Sequence, residues 1–149
     1  MARTKRETAE RFARTIIRVN LAFRQFLQMK LKTNNMDLTF EMLQVLGCLW
    51  QDDGVNQQEL ADQTVKDKAS MTYLIDNISR RGLVTRQEDP ADRRNKLVFL
   101  TKSGRDLQKT VEPWVEEMYR YAGEGLSIDA LKATIEQLER IRDNISAGS

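Results

Sequence analysis

The sequence predicts a mainly α-helical fold with a small antiparallel β wing, and three observations support this. The 149 residues include only seven Gly and two Pro, so long helices are seldom interrupted. Apolar side chains recur at helical spacing in five separate stretches. Between residues 83 and 101 the pattern changes to two short apolar runs separated by a charged segment.

The first predicted helix, in residues 5–33, has two apolar faces. One face carries Phe12, Ile16, Val19, Phe23 and Phe26, and the other carries Ile17, Leu21, Leu27 and Leu31. A helix that is apolar on two sides must be covered on two sides. Because a small domain has few other helices for this, we expect a partner subunit to cover one face.

The next three helices are predicted from their caps. The second begins after Thr39, and the third is a short helix that begins after Asn56. Asn56 and Glu59 have the spacing of a capping box, with Asn replacing the usual Ser or Thr. Asp67 caps the fourth helix, which ends at Gly82 as a C′ glycine.

The remaining elements are a hairpin and two helices. Residues 83–86 and 97–101 are predicted strands, joined by the charged loop 87–96. A fifth helix follows, in which Pro113 predicts a kink or break. Ser127 caps the last helix, whose apolar stripe is Leu131, Ile135, Leu138, Ile141 and Ile145.

The fourth helix separates its residues into two faces. Met71, Leu74, Ile75 and Ile78 point to the core, and the opposite face carries Ala69, Thr72, Tyr73, Asp76 and Arg80. The order helix, turn, helix, strand, charged loop, strand is that of a winged helix-turn-helix, whose second helix enters the major groove of DNA. The exposed donors and acceptors suit base edges and phosphates.

Charge is unevenly distributed although the net charge is only +2. Residues 1–32 hold nine Lys/Arg and two acids, and residues 64–101 hold eight bases and five acids, whereas residues 33–63 hold six acids and no base. Separated basic segments attract polyanions whatever the total charge is.

Several function classes are excluded by composition. With no His and one Cys, the chain cannot supply a Cys/His zinc site, a haem histidine or a Ser-His-Asp triad. It also lacks a glycine-rich phosphate loop and a paired nucleophile and base, so we expect no enzyme activity and no cofactor. No apolar run approaches the roughly 20 residues of a membrane span, and we expect a soluble intracellular protein. The lone Cys48 is expected to be a small buried hydrophobe, with a redox role as the alternative.

The segment from residue 56 to 104 contains four characteristic runs, QQELAD, DKASMTYLIDNISRRGLVTR, DPADRRNK and LVFLTKSG. In these runs it resembles the MarR (multiple antibiotic resistance regulator) family of winged helix-turn-helix transcription factors. The resemblance implies one domain in residues 1–149, with a DNA-binding lobe in 37–101 and dimerisation helices in 5–33 and 102–146. It also implies a homodimer in the cytoplasm of a bacterial or archaeal cell, associated with the nucleoid. Such a dimer binds a pseudo-palindromic double-stranded operator, usually as a repressor that is released by a small molecule or by oxidation. For this chain we expect release by a small aromatic ligand.

The resemblance also assigns site residues. The recognition helix would contribute Ser70, Thr72, Tyr73 and Asn77, the wing-tip Arg94 would enter the minor groove, and Asp92 would anchor Arg94. From their positions beside this surface, we expect Lys68, Arg80, Arg81 and Arg93 to contact phosphates. The alternative is that Arg80 and Arg81 complement the helix dipole and that Lys68 and Arg93 are solvated.

Two other functions stay open for this fold. A non-specific architectural DNA binder would show little preference for an operator over random duplex. A protein-interaction module would show no salt-dependent DNA binding at all.

Overall fold

Six helices and three short strands make up the described residues, 3–148, of the computed structural model. They are α1 Lys5–Thr33, α2 Phe40–Gln51, β1 Val55–Asn56, α3 Gln57–Thr64, α4 Lys68–Arg80, β2 Val84–Glu88, β3 Lys96–Leu100, α5 Lys102–Gly123 and α6 Ile128–Ala147. The predicted mainly α fold with a small antiparallel sheet is confirmed. Contacts divide the chain into two compact units, with the boundary between Trp114 and Val115. Residues 1, 2 and 149 of the predicted 1–149 domain lie outside the described residues.

The predicted helix caps are confirmed, with one change of partner. Thr39, Asp67 and Ser127 each accept a hydrogen bond from the backbone N–H three residues ahead, at 2.8–3.2 Å. Asn56 instead accepts from the N–H of Gln58, two residues ahead, at 2.6 Å. The predicted capping box with Glu59 is therefore wrong, because the Asn56 oxygen makes a shorter-range Asx-type bond.

The sheet has β3 in the middle, antiparallel to β1 and β2. The strand β1 was not predicted, since two residues are too few to show a period. Residues 87, 88 and 96, which were predicted as loop, extend β2 and β3, so the connecting loop is 89–95. Glu88 and Lys96 are directly opposed, and their side chains form an ion pair at 3.4 Å, which favours this longer pairing.

The core of the first unit lies between α2, α3, α4 and the sheet. Its most deeply buried side chains are Val45, Leu46, Leu49, Leu60, Met71, Ile75, Ile78, Val84, Val98 and Val111. Gly104 is required for the approach of α5, because a Cβ there would lie 2.1 Å from the carbonyl oxygen of Leu83. Cys48 is partly buried, and burial raises the pKa of its thiol, which disfavours the reactive thiolate.

The turn between α3 and α4 has an unusual backbone. Val65 adopts the left-handed conformation (φ 54°, ψ 49°), and the residue is 91% exposed. Such a φ is an outlier for a β-branched residue. At the other end of α4, Gly82 takes φ 72° in a Schellman motif, with N–H bonds from Gly82 to Ser79 O and from Leu83 to Ile78 O. The predicted C′ glycine is confirmed.

Apolar stripes remain exposed in both units. On α1, Ile16, Ile17, Val19 and Leu21 are 40–67% exposed, and only Leu27 and Leu31 are buried. On α6, no residue of the helix is buried, and the stripe includes Leu131, Ile135, Leu138 and Ile145. Each stripe therefore has an uncovered side within a single chain.

The helix α5 runs through Pro113 without interruption, so the predicted break is wrong. Proline removes one backbone donor and clashes with the carbonyl one turn earlier. Pro113 nevertheless lies at an exposed position, and the helix continues through it. Among residues 3–148, none of the helices combines the length and the apolar character that crossing a bilayer requires.

Candidate nucleic-acid interface

The helix α4 is oriented by a cap and by a buried stripe. The Asp67 carboxylate accepts from both the backbone N–H and the hydroxyl of Ser70, each at 2.8 Å. These two bonds hold the pKa of Asp67 below its ordinary value. The predicted core residues Met71, Leu74, Ile75 and Ile78 are all buried, so the opposite face of the helix points to solvent.

The exposed face of α4 offers two free groups near its start. Tyr73 is 66% exposed, and no described residue contacts its hydroxyl or the ammonium of Lys68 by a hydrogen bond. Ser70 and Thr72 are on the same stretch but are already engaged. The hydroxyl of Ser70 donates to Asp67, and that of Thr72 donates to Lys68 O and accepts from Gln57.

Asn77 and Arg80 form a ladder along α4. The Asn77 amide donates to Tyr73 O at 2.8 Å, and its oxygen accepts from Arg80 Nη2 at 3.0 Å. Asn77 therefore orients the Arg80 guanidinium. Arg80 itself is exposed. Its Nε also donates to Asp76 O at 3.4 Å, and the remaining N–H groups of the guanidinium are able to meet an anion.

Arg81 is held away from this face. Its Nε donates to Asp37 O at 2.7 Å, its Nη2 pairs with the Asp37 carboxylate at 3.0 Å, and its Nη1 donates to Asn77 O at 3.0 Å. The side chain is only 28% exposed. Arg81 therefore ties the end of α4 to the segment before α2, and a phosphate contact would have to replace these bonds.

The loop 89–95 presents two exposed arginines, of which Arg94 is tied to a folded turn. Asp92 accepts from the backbone N–H of Arg94 at 3.1 Å and from its Nε at 3.2 Å. The Arg94 side chain is nevertheless 91% exposed. Arg93 is also exposed and makes no hydrogen bond or ion pair with the described residues. The ion pair thus limits the directions of Arg94 without covering it.

A cleft of about 270 Å³ lies between this loop, α3 and the start of α4. Three of its lining residues are basic: Lys68, Arg94 and Lys96. Lys96 is partly neutralised by Glu88, whereas Lys68 is not. The cleft therefore has a positive potential that suits an anion such as a backbone phosphate.

Sequence reasoning missed Arg86 of β2. Its guanidinium donates to Gln57 Oε1 at 3.1 Å, to Asp76 Oδ1 at 2.5 Å and to Thr72 O at 3.1 Å. The available signal was strand alternation: Arg86 is two residues after the buried Val84 and therefore lies on the same face of β2.

Comparison with known proteins agrees with this architecture. The model of the MarR family matches residues 38–96. The HTH-type transcriptional regulator TtmR of Methylorubrum extorquens is 27% identical over 111 residues, which are 74% of this chain and 56% of TtmR. The chain thus spans little more than half the length of that curated relative.

Two solved structures share the fold. S. aureus MepR in its DNA-binding conformation superposes with a TM-score of 0.80 at 24% identity, over 90% of this chain and 98% of MepR. Bordetella bronchiseptica BpsR, whose DNA binding is regulated by 6-hydroxynicotinic acid, superposes with a TM-score of 0.76 at 24% identity, over 89% of this chain and 98% of BpsR. The helix-turn-helix and wing are thus similar to the MarR family, and the chain shares the fold of these two solved structures.

Proposed function

We propose that the chain is a homodimeric, sequence-specific DNA-binding transcriptional regulator, which represses genes from a pseudo-palindromic operator and is released by a small aromatic ligand. The observation that carries the proposal is the exposed face of α4 beside a basic cleft, with Arg94 projecting next to it. A helix face with free donors, flanked by cations, suits the major groove and the phosphates beside it.

The proposed contacts divide into two groups. Tyr73, with its free hydroxyl, reads base edges, and Ser70, Thr72 and Asn77 support the same surface through their engaged side chains. Lys68, Arg80 and Arg93 contact phosphates, and Arg94, anchored by Asp92, enters the minor groove. Arg81 contributes mainly by holding the end of α4.

The proposed dimer is supported by the uncovered apolar stripes. Exposed residues on α1 and α6, such as Ile17 (67%) and Ile135 (53%), are costly to leave in water. A second copy of the chain would cover them across a two-fold axis. Two recognition helices related by that axis would read half-sites about one helical turn apart, which explains the expectation of a pseudo-palindromic operator.

The proposed effector is a small aromatic acid. The support is the similarity to the MarR family over residues 38–96 together with BpsR, a fold neighbour whose DNA binding is regulated by such an acid. Release from DNA requires the ligand to bind two conformations with different affinities, typically by about 1–3 kcal/mol. Thermal-shift screening of aromatic acids, followed by operator binding with each stabilising ligand, tests this part of the proposal.

A regulator of this kind works where the chromosome is. The proposed partner is genomic DNA, and the relatives named above come from bacteria. We therefore propose that the protein acts at the nucleoid, in the cytoplasm of a bacterial or archaeal cell. Imaging of a tagged chain together with a DNA stain tests the location.

Selection of bound duplexes from a random pool tests the main proposal. Among the described residues of each chain, we count four cations as DNA contacts in this proposal: Lys68, Arg80, Arg93 and Arg94. If a dimer neutralises about eight phosphates, log affinity should fall with log salt with a slope near −7, from about −0.9 per phosphate. Arg80→Ala should make the slope shallower by about 1.8 in the dimer.

The matched control is Arg140→Ala, which removes one exposed cation from the side of α6 opposite the apolar stripe. This variant should keep the wild-type slope. A slope near zero for the wild type would remove DNA as the partner and favour a protein-interaction module. Equal affinity for the selected and random duplexes would replace the specific regulator by an architectural binder.

A further inference from the structure

A single arginine joins three elements of the DNA-binding lobe. Arg86 belongs to β2, and its guanidinium donates to α3 through Gln57 and to α4 through Asp76 and Thr72. Its three nitrogens each have a different acceptor. A planar guanidinium that is bonded at all three nitrogens fixes both distance and orientation, which a lysine ammonium does not.

A direct side-chain hydrogen bond between α3 and α4 completes the same cluster. The Gln57 amide donates to the Thr72 hydroxyl at 2.8 Å, while its oxygen accepts from Arg86 Nε at 3.1 Å. Gln57 therefore bridges the arginine and the recognition helix. Breaking the Arg86 contacts would leave the orientation of Gln57, and with it one link between α3 and α4, without support.

Arg86 is much less accessible than the wing arginine. Its side chain is 26% exposed, compared with 91% for Arg94. Its fork is turned toward protein acceptors, two of which, Thr72 O and Asp76 Oδ1, lie on α4 on either side of Tyr73 in the sequence. The arginine thus acts on the segment of α4 whose exposed face is proposed to read bases.

We propose that Arg86 is a positioning residue that sets the angle of α4 against the wing and thereby the operator specificity. The inference rests on the proposed function and goes beyond it, because it assigns specificity to a side chain that contacts no base. Base readout depends on the direction of α4, whereas non-specific binding depends mainly on the number of cations. Loss of Arg86 should therefore affect the two kinds of binding differently.

The experiment measures affinity for the selected operator and for random duplex across a salt series, using the full chain. For Arg86→Ala we expect operator affinity to fall about 5- to 150-fold for each discriminating contact that is misplaced, with random-duplex affinity within about threefold of wild type. The salt slope should not change. Arg86→Lys, which keeps the charge and loses the fork, should show the same loss of specificity.

A double variant tests whether the cluster acts as one unit. Asp76→Asn combined with Arg86→Ala should lower the ratio of operator to random-duplex affinity no further than Arg86→Ala alone. Additive losses, an unchanged ratio in Arg86→Ala, or a slope shallower by about 1.8, as expected for a direct phosphate contact in each subunit, would each overturn the inference. Arg86→Lys decides the question if Arg86→Ala does not fold.

Hydrogen exchange keeps this inference separate from the proposed function. In the absence of DNA, backbone amides of residues 72–76 should exchange faster in Arg86→Lys than in wild type, and those of the Arg140→Ala control should not. If the wild type selects no operator, the proposed function fails while the exchange result still reports on the positioning of α4. Unchanged exchange in Arg86→Lys would refute the positioning role itself.

Discussion

Replacement of Val65 by glycine should stabilise the protein, although it removes a side chain. Val65 closes the turn between α3 and α4 in the left-handed conformation, and its N–H and that of Lys66 donate to Asp62 O and Ala61 O. Glycine adopts this conformation without steric cost and would keep both bonds. With 91% of the valine exposed, almost no buried apolar surface is lost.

The expected magnitude follows from two opposing terms. The left-handed conformation costs an L-residue about 1–2 kcal/mol. Glycine adds unfolded-state entropy that costs about 0.5–1 kcal/mol. The net gain should be about 1 kcal/mol, or roughly 2–4 °C in Tm for a chain of this size. Val65→Ala should gain less, because it retains the Cβ.

The assay is urea unfolding at one fixed protein concentration, since a dimer makes apparent stability depend on concentration. Gly82→Ala is the control, and it should change the free energy of unfolding in the opposite direction. Gly82 has φ 72°, and a Cβ there would meet nothing within 4 Å, so that variant should lose about 1 kcal/mol from backbone strain alone. A Val65→Gly protein that is no more stable than Val65→Ala would refute the strain argument.

Three further predictions concern the wing, the dimer and the cap. Arg94→Ala should weaken operator binding and make the salt slope shallower by about 1.8 in the dimer, with little change in central-base preference, and Asp92→Ala should have the same effects more mildly. Duplex selection and a salt series with each variant measure the base preference and the slope. A wild-type slope for Arg94→Ala would contradict the wing assignment. Leu138→Arg, on the exposed stripe of α6, should yield monomers in sedimentation, whereas a stable dimer would exclude α6 from the interface. The pKa of Asp67 is lowered in the folded state, so its stabilising contribution is present above the ordinary carboxyl pKa and is lost as pH falls through the folded value. In Asp67→Asn, the free energy of unfolding should therefore decrease less steeply at acid pH than in wild type. The same acid dependence as wild type would contradict this.

The features that local sequence encodes were predicted well. A cap such as Asp67 requires only a short polar side chain three residues before the N–H that it accepts, and the core face of α4 requires only helical spacing. Gly82 was identified for the same reason, because a C′ glycine is a local requirement. The errors among local features were the partner of Asn56, the ends of β2 and β3, and the break at Pro113, where α5 continues.

The long-range contacts that determine the roles of side chains at the interface could not be predicted from local sequence patterns. Arg81 bonds to Asp37, 44 residues earlier, and Arg86 to Gln57, 29 residues earlier. No periodicity relates residues at such separations, since they meet only once the lobe has folded. The engaged state of Ser70, Thr72 and Asn77 depends on the same kind of geometry, although their positions on α4 were clear from the sequence.

The arginines of the lobe show why this distinction matters for function. Three arginines, Arg81, Arg86 and Arg94, carry the same charge within 14 residues of sequence. The side chains of Arg81 and Arg86 are about one-quarter exposed and are bonded to carbonyl and carboxylate acceptors, whereas that of Arg94 is 91% exposed. A buried fork bonded to protein acceptors stabilises geometry, and an exposed one is free to meet a polyanion. Counterion release counts only the second kind. Among the arginines, the salt slope of DNA binding therefore reports those that the fold has left free, together with free lysines such as Lys68. The specificity ratio reports how well the engaged arginines hold α4 in place.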